Sequence, residues 1–250
     1  KKYIQFSEYL ATFLPSVYLT DSKVVQAYYK DTYSSTPPYI PYGSDVEMLP
    51  PGETLARFGL EPGRYVLFVG RLVPENCAHH LVEAFRRLDT DYKCVIVGDA
   101  AYAEEYKNSL RSLAQGDPRI VFTGYVFGSG YHELGSNAAI FVETSGVGGT
   151  HPALVEAMAH GSCVVTHDTP ENMETIGDSG FGYKGNEGAK HLHSVLEKLL
   201  SNPQLVLEYA AKAQTRANTV YTWETVTDAY ERLFYTTLGR PLPDRLQIEE

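Results

Sequence analysis

Long apolar runs are missing from this chain. No stretch approaches the ~20 consecutive apolar residues that cross a bilayer, and no charged-then-apolar leader opens it. The expected compartment is therefore the cytoplasm. Cysteine is scarce: Cys77, Cys94 and Cys163 are odd in number and lack metal-like spacing, and Cys94 and Cys163 lie inside strand-like apolar runs. They read as reduced, small core residues. Basic residues are outnumbered, 21 Lys and Arg against 31 Asp and Glu, for a net charge of -10. That balance argues against a general nucleic-acid binder, whose affinity rests on cations neutralising phosphates, while leaving room for a local anion site.

Motifs are missing as well. There is no G-x-S-x-G elbow, no Walker loop and no G-x-G-x-x-G fingerprint, so serine-hydrolase and dehydrogenase readings lack support. His79 and His80 are adjacent on a helical stretch, His191 and His193 face different ways on another, and none shows zinc spacing. The first residues, "KKYIQF", carry no initiator methionine, so something upstream is expected to be missing.

What is present is enough apolar material, 43% of 250 residues, for a sizeable core. From Tyr65 onward, "YVLFVG", "KCVIVG", "RIVFTG", "AAIFVE" and "SCVVTH", with a weaker "GFGYKG", alternate with amphipathic helical stretches. Short runs rich in Val, Ile and Phe, apolar at nearly every position, predict strands covered on both faces, hence an α/β fold with a doubly wound parallel sheet. Gly70, Gly98 and Gly124 close three of the runs, where backbone can come close to a ligand at the carboxyl edge. Residues 1–45 are rich in Tyr and Ser, contain one helical stretch ("DSKVVQAYYKDTY") and look like a piece of another unit. The predicted division is 1–45 as the end of an upstream domain and its connection, 46–220 as the sheet domain, and 221–250 as a final helix with a loose tail, "RPLPDRLQIEE".

The stretch "VGGTHPALVEAMAHG", residues 147–161, places Gly148 and Gly149 before a helix that should start at Pro152, with Thr150 or His151 as cap. Free N–H groups of such a first turn suit a phosphate or a sugar hydroxyl; a tight, well-capped loop is the alternative. Glu156 sits on an otherwise apolar helix and could meet two ribose hydroxyls, since a carboxylate only accepts and a diol donates twice. A solvated helix glutamate is the other reading. Arg71 leaves the first strand at the same edge, where a guanidinium fork fits a diphosphate unless it is merely a surface arginine. Asp99 and Tyr125 could touch a nucleoside and the backbone of Val126 a base edge; Asp99 is equally a helix cap and Tyr125 a packing aromatic.

Taken in order, "PYGSD", "VLFVGRLVPEN", "HLVEAF", "CVIVGD", "RIVFTGYV", "GGTHPALVEAMAHG" and "VVTHDTPENMETIGDSGFGY" resemble the C-terminal domain of family 4 retaining glycosyltransferases, with the GT-B fold. The likeness spans roughly residues 40–185 and is nearest to the bacterial surface-polysaccharide branch that includes rhamnosyltransferases. It implies that this domain binds a nucleotide-diphosphate sugar and that a separate upstream domain holds a glycan or lipid-linked acceptor, compatible with peripheral residence at the inner membrane face. It implies Arg71 at the diphosphate, Gly148, Gly149 and Thr150 at sugar and phosphate, Glu156 at the ribose, and Tyr125 and Val126 at the base, with Arg71 and Glu156 carrying catalysis and with no metal and no redox cofactor; Gly70 and His151 are further candidate substrate contacts. Two positions depart: Gly148 stands where the family has a second glutamate, and Asn76 where it has a lysine. These departures motivate a second reading, a sugar-nucleotide-binding module without transfer. A phosphorylase or epimerase on the same architecture has less support.

Overall fold

The computed structural model describes residues 2–247. Each predicted strand forms: β1 (Tyr65–Val69), β2 (Lys93–Val97), β3 (Ile120–Gly124), β4 (Ile140–Glu143), β5 (Cys163–His167) and β6 (Phe181–Tyr183). They make one sheet in the order β3-β2-β1-β4-β5-β6, every pairing parallel. Successive side chains point to opposite faces, so each strand feeds two cores. Val66, Phe68, Cys94, Ile96, Ile140 and Val142 pack on one face with α4 (Ala78–Phe85) and α9 (Ala189–Leu200). Tyr65, Leu67, Val95, Phe141 and Val164 pack on the other with α7 (Pro152–Ala159) and α10 (Pro203–Val220). Burying each such side chain contributes about 1.5–3 kcal/mol. This is why the strands tolerate no polar alternation and read as continuous apolar runs.

The other helices are α1 (Lys2–Ala11), α2 (Lys23–Tyr33), α3 (Glu53–Phe58), α5 (Glu104–Ala114), α6 (Ser129–Ser136), α8 (Pro170–Ile176) and α11 (Trp223–Thr237). Residues 1–45 therefore hold two helices where the sequence suggested one. In α1, Tyr3, Ile4, Phe6 and Tyr9 are exposed. The short helices α3 and α8 escape periodicity and are set by caps. Thr169 Oγ1 accepts the Asn172 N–H with Pro170 in the first turn of α8. For α3, the cap comes from a distance: the Glu133 carboxylate on α6 accepts the N–H groups of Gly52, Thr54 and Leu55.

Residues 1–45 are fastened to the sheet domain by the same chemistry. Glu174 on α8 accepts from Ser22 Oγ and from the backbone N–H of Lys23 and Val24, stabilising the N-terminus of α2 with a carboxylate. Gly43 lies so close to Trp223 that an added Cβ would sit 2.7 Å from its ring. The final segment is not loose up to Gln247: Leu246 is 1% exposed, its carbonyl accepts from Arg232, and Arg245 pairs with Asp228 and Glu231. A helical turn too short to show in the sequence, Asp244–Leu246, delivers that leucine. Residues 248–250 of the predicted tail lie outside the described residues. No described helix is long and apolar enough to cross a membrane.

Candidate functional site

The strand order reverses between β1 and β4, and ligands of open α/β sheets bind in the crevice outside the carboxyl ends of such a pair. A cleft of about 410 Å³ lies there, lined by Gly70 and Arg71 from the exit of β1, Glu143 from the end of β4, and the loop into α7. Its size falls within the ~300–1,000 Å³ usual for small-molecule sites. Gly70, Arg71, Gly148, Gly149, Thr150 and His151 all line it, so six of the ten residues singled out in the sequence come together.

The two loop glycines are needed for different reasons. Gly148 has φ +109, a conformation side chains rarely adopt. Gly149 is a close approach: an added Cβ would lie 2.6 Å from Asp21 Oδ1. Thr150 Oγ1 donates to the Asp21 carbonyl at 2.8 Å, which fixes the loop against the segment preceding α2. His151 is the N-cap in extended conformation, Pro152 follows, and no side chain caps α7. The positive end of this buried helix is therefore offered to the cleft.

Arg71 is exposed, its Nη1 3.4 Å from the Tyr102 hydroxyl, and so remains available to an anion. Asn76 does structural work where the resembling family has lysine. Its Nδ2 donates to the Arg71 carbonyl at 2.9 Å, its Oδ1 accepts from Ser145 Oγ at 3.4 Å, and its carbonyl accepts from Thr144 Oγ1. The side chain thus ties the exit loop of β1 to that of β4 and brings no charge.

Sequence reasoning missed Glu143. It ends an apolar strand on the face that carries Phe141, which is the α7 side, and is only 5% exposed. Oε1 accepts the Ser145 N–H at 2.9 Å. Among the described residues Oε2 accepts no hydrogen bond and no lysine or arginine pairs with it. Burial holds its carboxyl above the ordinary carboxylate range, while His151 and the Ser145 N–H pull the other way. The available signal was an acid closing "AAIFVE", where the apolar pattern calls for another hydrophobe.

Four expected residues do not line the cleft. Asp99 is held by Lys107 Nζ at 2.6 Å and by the Ala100 N–H at 2.7 Å. Lys107 keeps its carboxyl below the ordinary range. Both bonds fall on Oδ1, and the residue is not the cap of α5, whose N-cap is Ala103. Tyr125 is exposed, not packed inside: its ring stacks on Phe127, with centroids 5.6 Å apart and planes at 19°. Val126 packs against the core beneath. Glu156 is half-buried and accepts from the Tyr131 hydroxyl, whose own proton is held tightly by burial and by that carboxylate. Glu156 is therefore neither a freely solvated helix glutamate nor part of the cleft lining.

Residues 56–218 match the family model described as glycosyl transferases group 1. Among curated relatives, α-maltose-1-phosphate synthase of Mycolicibacterium smegmatis is 26% identical over 187 residues, covering 70% of this chain and 48% of that protein. The Campylobacter jejuni N-acetylgalactosamine-N,N'-diacetylbacillosaminyl-diphospho-undecaprenol 4-alpha-N-acetylgalactosaminyltransferase is 27% identical over 156 residues, 62% of this chain and 42% of its own length. The chain spans about half the length of these relatives. Among solved structures, sucrose-phosphate synthase from Thermosynechococcus elongatus superposes with a TM-score of 0.82 at 19% identity, over 96% of this chain and 62% of that one. Anabaena HepE in complex with UDP-glucose also gives 0.82, at 20% identity, over 93% and 67%. The fold is thus the Rossmann-like sheet that the GT-B resemblance implied, and the family match extends over well more than half of the residues. The chain belongs to the glycosyl transferases group 1 family.

Proposed function

We propose that this chain is the donor-binding half of a retaining glycosyltransferase that moves a sugar from a nucleoside diphosphate to a glycan or lipid-linked acceptor. The observation that carries the reading is the cleft at the β1/β4 reversal, where Arg71 and the uncapped start of α7 converge across Gly148 and Gly149. A guanidinium fork and a helix N-terminus are two independent anion sites, which is what two linked phosphates need. Glu156, oriented by Tyr131, takes the ribose hydroxyls, and Val126 with the stacked Tyr125 borders the base. Arg71 neutralises charge developing on the departing diphosphate. In the retaining reaction implied by the resemblance, the donor's own phosphate accepts the acceptor proton on the face that the leaving group vacates. No metal and no redox cofactor enters this scheme, and the upstream half would hold the acceptor. The bacterial surface-polysaccharide branch, with rhamnosyl transfer within it, is the proposed setting, with the protein cytoplasmic and peripheral at the inner membrane face.

Calorimetry with UDP-, GDP- and dTDP-linked sugars tests the site. Arg71→Ala should weaken the bound donor by about 10- to 100-fold, the loss of a charge-assisted contact of about 1.5–3 kcal/mol. Unchanged affinity refutes the assignment. The absence of a carboxylate at Gly148 favours a second reading, a binding module without transfer; a full-length protein that binds donor yet transfers to no lipid-linked or glycan acceptor would support it.

A further inference from the structure

An acid buried to 5% exposure normally has a cation or several donors around it, because removing its charge from water is costly. Glu143 has one donor, the Ser145 N–H on Oε1, and its Oε2 is without a hydrogen bond among the described residues. It nevertheless lines the cleft, with Arg71 at the exit of the neighbouring strand and Gly148, Gly149 and Thr150 along the loop. Gly148 brings no side chain into the cleft, and His151 lines the same cleft. Glu143 sits on the α7 face of the sheet and its strand borders β1, so the carboxylate lies beside the pair of anion sites and not beyond them.

From this geometry, and resting on the donor-binding reading above, we infer that Glu143 is the specificity-determining carboxylate for the donor sugar: Oε2 accepts hydroxyl donors of a neutral, hydroxyl-bearing sugar and excludes sugars carrying a carboxylate. A polyol supplies the O–H groups that Oε2 lacks, and supplies them next to the diphosphate, where the sugar of a nucleotide-diphosphate donor must lie. An acidic sugar would place a second carboxylate against a buried one with no added cation.

The test compares each nucleoside diphosphate with its sugar-linked form, since only the latter should feel Glu143. Calorimetry would use UDP, GDP and dTDP, UDP-glucose, GDP-mannose and dTDP-glucose, with Glu143→Leu and Glu143→Gln. For whichever base binds, Glu143→Leu should lower affinity for the sugar-linked form at least 10-fold and leave that for the bare diphosphate equal or higher; Glu143→Gln should fall between. Equal losses for both ligands, or none for either, overturn the inference. Urea unfolding accompanies each variant. Should neither fold, the natural chain decides, because it should bind UDP-glucuronate or GDP-mannuronate at least 10-fold more weakly than the neutral counterpart, and parity overturns the inference. If the natural chain binds no nucleoside diphosphate at all, the donor reading itself fails, an outcome distinct from loss of sugar discrimination.

Discussion

Gly98 is the most constrained position of the carboxyl edge, and Gly98→Ala should be the most damaging single-methyl change there. The residue has φ +130, and a Cβ built on it would lie 1.9 Å from the carbonyl oxygen of Gly70 and 3.0 Å from its carbonyl carbon. Those atoms are backbone and cannot rotate aside. They are also held in place, since the Gly70 N–H donates to the Val97 carbonyl at 3.0 Å and the Gly98 N–H to the Gly124 carbonyl at 2.9 Å. The side chain in a left-handed conformation costs about 1–2 kcal/mol, and forcing strand exits apart adds about 1–3 kcal/mol. The stiffer unfolded chain returns about 0.4–1 kcal/mol, leaving a net loss of about 1–4.6 kcal/mol. Gly124 is the internal control: its φ is +71, but nothing lies within 4 Å of its would-be Cβ. Gly124→Ala should therefore cost only the backbone term less the entropy gain, about 0–1.6 kcal/mol. Urea unfolding with unchanged m-values measures both. If the two variants lose stability within 0.5 kcal/mol of each other, steric closure of the β1 and β2 exits is not what the glycine is for. Because Gly70 precedes Arg71, Gly98→Ala should also cost donor affinity beyond what Gly124→Ala costs.

Two further outcomes are expected. Asp117 grips Arg119 through both oxygens, at 2.9 Å to Nε and 2.7 Å to Nη2, and that guanidinium holds its carboxyl below the ordinary range. A depressed folded pKa gives stability that is present above the unfolded value near 3.9 and lost as pH falls through the folded value. Asp117→Asn should thus be about 2 kcal/mol less stable at pH 7, with the gap closing below about pH 4; a gap independent of pH in urea melts refutes the ion-pair account. Tyr131→Phe and Glu156→Gln should each weaken donor binding several-fold, and together no more than the worse of the two, because the tyrosine acts through the carboxylate it orients. Additive losses in the double-mutant cycle would show that they act separately.

The sheet was legible because its physics is local. Strands covered on both faces leave continuous apolar runs, and the glycines that end three of them mark the carboxyl edge. Six cleft residues were legible for a related reason, being the strand exit and the helix entrance that the fold must bring together. What was not legible is tertiary. Helix α3 is capped by a carboxylate 78 to 81 positions away, and the partner of Asp99 lies in the next helix, so no local pattern foretells either. Glu143 escaped because its one signal, an acid closing an apolar run, reads equally as the first residue of a polar loop. The stacking of Tyr125 on Phe127 depends on loop shape, and the sequence could not choose between a packed and an exposed ring.

The glycine loop takes its shape from elsewhere in the chain. Its Thr150 is moored to the Asp21 carbonyl 129 positions earlier, and Gly149 is small because the Asp21 carboxylate occupies the space beside it. The string of residues in the loop is thus half of an instruction whose other half is written before α2. Transplanted alone into another sheet, the same motif would keep its sequence and lose its curvature. Substitutions at positions 21 and 149 are likewise coupled: a larger residue at one is tolerable only if the other retreats, although neither belongs to the same element.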